Sequence, residues 1–92
     1  KVVPSFIIRV DGSTEDVCPA NGKDFKLEEL KKAIGGGHIQ MVATRDNRYM
    51  VLDEEGKLKG FPINLVATAL YPYGNVDPIV GDVLVCNKQY IR

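Results

Sequence analysis

Asp53-Glu54-Glu55 sets three carboxylates side by side, the residue type that general acid–base chemistry and cation binding require. A cation site needs further oxygen ligands at fixed spacing, and no EF-hand spacing surrounds this run. With Gly56 after it, DEEG reads instead as a solvated turn whose glycine takes positive φ. Gly35-Gly36-Gly37-His38 is a second candidate, offering glycine backbone to an anion and an imidazole for proton transfer. Glycine loops hold phosphate where they lead into a helix N-terminus. These glycines follow a helix, so they read as its C-cap, with His38 an ordinary strand residue. His38 is the only histidine and no nucleophile elbow is present, so no Ser–His–Asp set can be assembled. Nothing in the sequence supports a Cys86–His38 pair, and Cys86 within VLVCN reads as buried and inert.

Asn64 with Thr68 is the constellation most worth testing as a ligand site. Asn64 suits a helix cap. It also fits a second role, in which its amide and the Thr68 hydroxyl face a small-molecule pocket beside Asp82 and the Gly81 backbone. Ala67 and Ala69 permit close packing under either reading. Arg45, Arg48, Tyr49 and Tyr73, with Tyr71, gather basic and aromatic groups near loops. That mixture can stack bases or hold phosphate, and it is equally the composition of a protein-interface rim. The metal reading is empty: two cysteines and one histidine without CxxC or HxxxH spacing make no ligand set. No cofactor is implied.

The elements that must carry these groups follow from pattern. Residues 5–10, SFIIRV, read as a strand, Asp11-Gly12 as a hairpin turn, and Val17-Cys18 as the return. Residues 27–34, LEELKKAI, read as a helix with Leu27, Leu30 and Ile34 as its apolar stripe. Asp24 is the nearest cap residue. Residues 38–44 and 49–52 form a second hairpin around Arg45–Arg48, and a short strand is expected at 58–59. Residues 62–71 read as a second helix, apolar nearly all round and therefore buried on more than one side. Residues 83–86 form a last strand whose unbroken apolar run suits the centre of a sheet. The order strand–strand–helix–strand–strand–helix–strand predicts one α+β domain over residues 1–92, built on a small, mostly antiparallel sheet with two helices. A sheet of this size is expected to leave an edge open, and pairing across it would give a homodimer.

Composition limits the partners. The chain has 92 residues, 45% of them hydrophobic and 26% charged, as in ordinary globular domains. Twelve basic and twelve acidic residues cancel, which argues against nucleic-acid binding as a whole-chain property. No apolar stretch is long enough to cross a membrane, and no signal-peptide pattern is present. Cys18 and Cys86 sit in unlike neighbourhoods and read as separate thiols in a reducing cytosol.

The pieces GKLKGFPIN, ATAL and GDVLV carry a family resemblance. Set in the order helix–GG–hairpin–DEEGKLKGFPIN–ATAL–loop–IVGDVLV, residues 27–87 resemble a small uncharacterised family catalogued as a domain of unknown function (number 3846). The resemblance implies a small cytoplasmic protein of a bacteriophage or mobile element and transfers no activity. The expected function is a non-enzymatic binding module that meets a host protein or a second copy of itself. The alternative is a binder or sequestering protein for a nucleotide-like signal.

Overall fold

A computed structural model describes residues 5–88 of the chain. The elements are β1 (Ser5–Ile8), β2 (Thr14–Val17), α1 (Leu27–Ala33), β3 (Ile39–Ala43), β4 (Tyr49–Asp53), α2 (Leu65–Leu70) and β5 (Val83–Cys86). The five strands form one sheet in the order β2-β1-β5-β4-β3, and every neighbouring pair is antiparallel. The α+β class and the element order are those the sequence predicts.

The last strand is the middle of the sheet, and its composition is the reason. All four residues of β5 are buried. Leu84 and Cys86 pack on one face with Ile7, Val51, Phe25, Leu30 and Ile34, the last two supplied by the α1 region. Val83 and Val85 pack on the other with Ile8, Met50, Leu52, Ala67 and Ile79. Each face is thus covered by one helix, and a strand covered on both faces must be apolar throughout. Burying each Val, Leu or Ile side chain contributes about 1.5–3 kcal/mol.

α1 starts differently from the expectation. Its N-cap is Lys26, not Asp24. Glu29 reaches back so that its carboxylate accepts from the backbone N–H of Lys26 at 2.8 Å and of Ala20 at 2.9 Å. The Asp24 amide instead donates to Asn21 Oδ1 at 3.0 Å, within a local turn. Leu30 and Ile34 are buried, but Leu27 at the first helical position is exposed. The glycines after the helix close it, since Gly36 N–H donates to Lys31 O at 2.6 Å and Gly35 N–H to Lys32 O at 3.2 Å. All three take positive φ, the conformation a C-terminal cap needs.

The segment from Glu54 to Leu70 corrects four expectations. No strand forms at 58–59, because residues 54–60 are consecutive turns. Gly60, not Gly56, takes positive φ there. Gly56 is small for lack of room: a Cβ would lie 2.9 Å from Val80 Cγ2. Pro62 and Ile63 stay extended, with Ile63 bridged to Val80, so the second helix begins only at Leu65. Six residues make fewer than two turns. Only Ala67 faces the sheet squarely, while Leu65 and Val66 are exposed, so α2 is not buried on several sides.

Candidate functional site

Asn64, Thr68, Gly81 and Asp82 do come together, where α2 begins against the ends of β1 and β5. Asn64 is wholly buried. Its amide nitrogen donates to Ile8 O and to Gly81 O, both at 2.9 Å. Its amide oxygen accepts from Ala67 N–H at 3.1 Å, capping the helix. The Thr68 hydroxyl donates to Asn64 O at 2.8 Å and accepts from Ile79 N–H at 3.0 Å. Asp82 accepts from Val10 N–H at 3.0 Å and pairs with Arg9 at 3.1 Å. Gly81 takes φ +79°, and a Cβ there would lie 2.7 Å from the Phe61 ring. The polar groups of this constellation are thus engaged with the chain itself. Chemically it is a latch joining α2, β1 and the approach to β5.

The basic and aromatic candidates surround the β3–β4 turn. Arg45 N–H donates to Leu70 O at 2.8 Å, and its Nε donates to Ala69 O at 3.1 Å, which ties the turn to the end of α2. Tyr71 follows directly, and its ring meets Tyr73 edge-on with centroids 5.7 Å apart. Tyr73 is exposed. Arg48 behaves differently: it pairs with Asp46 at 2.6 Å and lies over the Phe6 ring, 5.3 Å from its centroid. Its Nε is buried without a hydrogen-bond partner among the described residues. Tyr49 is half-buried beneath Lys88, whose Nζ is 5.5 Å from the ring centroid. Arg45 and Tyr73 therefore present surface, whereas Arg48 and Tyr49 mainly pack.

The acidic turn resolves into unlike carboxylates. Asp53 is buried at the end of β4, accepts from Glu55 N–H at 2.8 Å and pairs with Lys59 at 2.7 Å. Burial works against its charged form, yet the Lys59 and backbone hydrogen bonds prevail and hold its carboxyl below the usual aspartate value. Glu54 and Glu55 are exposed. Among the described residues no group of three His, Cys, Asp or Glu side chains is placed to hold a metal.

Among the described residues two grooves stand out. The larger, about 360 Å3, lies between α1 and the β1–β2 ribbon; Val17, Phe25 and Ala33 form its apolar floor and Arg9, Glu15 and Lys32 its rim. The smaller, about 140 Å3, is framed by Gln40, Val42, Glu54, Lys57, Tyr71 and Asp77. Neither is lined by Asn64, Thr68, Gly81 or Asp82. The sequence reading missed the larger groove, because its floor combines Phe25, in an irregular segment, with Val17 of β2 and Ala33 of α1. It also missed the exposed apolar side chains Leu58, Leu65 and Val76. The poor packing of α2 was concealed by a composition that looks buried.

The architecture defines a two-helix, five-stranded antiparallel α+β domain with one helix on each face. The chain matches, over residues 6–90, the family model described as Domain of unknown function (DUF3846), and it belongs to that family. The match takes in the β1–β2 hairpin, which the motifs in residues 27–87 had left outside. No curated protein and no solved structure matches the chain.

Proposed function

We propose that this domain is a non-enzymatic accessory module that works by protein contact. One observation carries the reading: the layer over the second face of the sheet turns large apolar side chains to solvent. Leu58 is 88% exposed, Val76 78% and Leu65 76%, with Tyr73 also exposed nearby in sequence. Single exposed apolar residues are commonplace, but Leu58, Ile63, Leu65, Val66, Tyr73 and Val76 all fall within residues 58–76, and an accumulation of exposed apolar side chains marks interaction surfaces. The setting in a bacteriophage or mobile element, and the cytoplasmic location, rest on the family resemblance alone. Replacing Leu65 and Tyr73 together with serine tests the reading. Partner capture from host lysate should be lost while the circular dichroism spectrum and unfolding midpoint stay those of the parent. Undiminished capture by the double variant would sink it.

A second reading, a small-molecule binder for a nucleotide-like signal, is favoured by the larger groove. Its volume lies in the range of ligand sites, and an apolar floor with a few charged rim groups is their usual make-up. A nucleotide or cyclic dinucleotide held there would stabilise the fold by about 2.7 kcal/mol at a hundred times its Kd. Thermal shift against such a panel, repeated with Lys32→Ala, separates the two readings.

A further inference from the structure

We propose that β3 is the docking edge for a second copy of this chain, the two β3 strands pairing antiparallel about a two-fold axis through Met41. This gives the protein-contact reading one definite partner and rests on that reading only in this sense. The two sheets would become one continuous sheet.

The edges of the sheet are not equivalent. β2 reads Thr-Glu-Asp-Val, and pairing it with its own copy would set acid against acid at Glu15 and Asp16. Charge on an edge strand is a common defence against such pairing. β3 reads Ile-Gln-Met-Val-Ala, without charge or proline, and keeps an unbroken five-residue register with β4. Met41 at its midpoint is exposed.

The hydrogen-bonding parity fits a two-fold at Met41. His38 O accepts from Glu54 N–H at 2.9 Å, and Thr44 N–H donates to Arg48 O at 2.8 Å. In an antiparallel ladder the bonded pairs alternate. Gln40 and Val42 therefore turn their backbone groups toward β4, and Ile39, Met41 and Ala43 turn theirs outward. A two-fold through Met41 opposes Ile39 to Ala43 of the other copy and Met41 to its own image. Every outward residue then meets an outward residue, and each opposed pair exchanges two hydrogen bonds. The ladder is bounded at both ends, because Gly37 takes φ +88° and the Arg45 amide is already bonded to Leu70 O.

Charge agrees with this register. Arg45 follows β3 and Glu54 follows β4, at opposite ends of the β3–β4 ladder and both on the α2 side of the sheet: Arg45 reaches Ala69 O, and Glu54 shares a groove with Val42 and Leu52. Among the described residues neither makes an ion pair within the chain. The two-fold brings Arg45 of each copy toward Glu54 of the other, twice per dimer. The opposite charges thus complement one another across the axis.

Sedimentation equilibrium over a concentration series, joined to amide hydrogen exchange, tests the pairing. The mass should rise from monomer to dimer. The amides of Ile39, Met41 and Ala43 should slow at least tenfold as it does, while those of Gln40 and Val42 stay slow throughout. Met41→Lys sets two ammonium groups face to face and should weaken the dimer about tenfold or more. Arg45→Glu and Glu54→Arg should each weaken it, and both together in one chain should restore it. A monomer mass up to millimolar concentration overturns the proposal, as does a dimer whose protection falls on β2 or α2. Either result leaves host-protein capture through Leu65 and Tyr73 to stand or fall on its own assay. Undiminished capture by the Leu65 and Tyr73 double variant beside an intact β3 dimer would count against the host-partner surface alone.

Discussion

The amide of Asn64 donates to the carbonyl of Gly81, seventeen residues later, at 2.9 Å and with no exposure to solvent. The same nitrogen donates to Ile8 O, and the same side chain caps α2. A helix of six residues has little stability of its own, so this side chain holds α2 to the sheet. Asn64→Ala removes a cap and leaves two buried carbonyls short of a donor. The expected loss is about 3 kcal/mol, read as a lower urea midpoint at unchanged slope. A loss under about 1 kcal/mol would show that α2 is docked by Ala67 and Leu70 without the amide.

Gly81 and Phe61 are coupled by space as well as by backbone conformation. Gly81→Ala should destabilise through two effects, the positive φ and the approach of the new methyl to the Phe61 ring. Together they should cost about 1–3 kcal/mol. Phe61→Leu in the same chain relieves only the second. A double-mutant cycle should therefore show favourable coupling of roughly 0.5–1 kcal/mol. Strict additivity would mean that backbone strain alone sets the cost.

Asp53 contributes to the acid limb of stability. Burial opposes its charge, but the Lys59 and Glu55 hydrogen bonds prevail, so its folded pKa lies below the unfolded value. The folded state then binds fewer protons, and stability rises with pH across that interval. The contribution is present above the unfolded value near 4 and is lost as pH falls through the lower folded value. Asp53→Asn should cost about 1–2 kcal/mol at neutral pH and progressively less below about pH 4. Equal destabilisation at pH 7 and pH 3 would show that packing, not charge, holds this carboxylate.

Most of the fold was legible in the sequence, and the reasons differ by element. The unbroken apolar run of β5 announced a central strand, since only a strand covered on both faces can be apolar throughout. The α1 stripe was legible at Leu30 and Ile34 but not at Leu27, where position at the helix start outweighs periodicity. α2 was misjudged because composition alone cannot show that Pro62 and Ile63 are held extended by the bridge to Val80. The candidate site was half legible. Asn64, Thr68, Gly81 and Asp82 do meet in space, but their polar atoms meet each other and the backbone, which residue types do not disclose. The larger groove needed tertiary structure, as its walls come from α1, β1, β2 and β5.

The two cysteines should separate cleanly by reactivity. Both are free thiols, Cys18 exposed and Cys86 buried opposite Tyr49 in the β4–β5 register. Burial pushes the Cys86 thiol up to about 11, with the Arg48 charge opposing more weakly. The thiolate is the nucleophile, so at pH 8 a disulfide reagent should label one thiol per chain quickly, and Cys18→Ser should abolish that phase. Cys86 should react only at the rate at which the fold opens, and faster in Asn64→Ala. The same shift bears on alkaline stability. The unfolded thiol ionises near pH 8.5–9 while the folded one stays protonated, so stability should begin to fall above about pH 9. Replacing Cys86 with alanine should remove that slope while costing about 1 kcal/mol or more for the lost packing. Two rapidly labelled thiols in the parent chain would contradict the buried placement of Cys86 at the centre of the sheet.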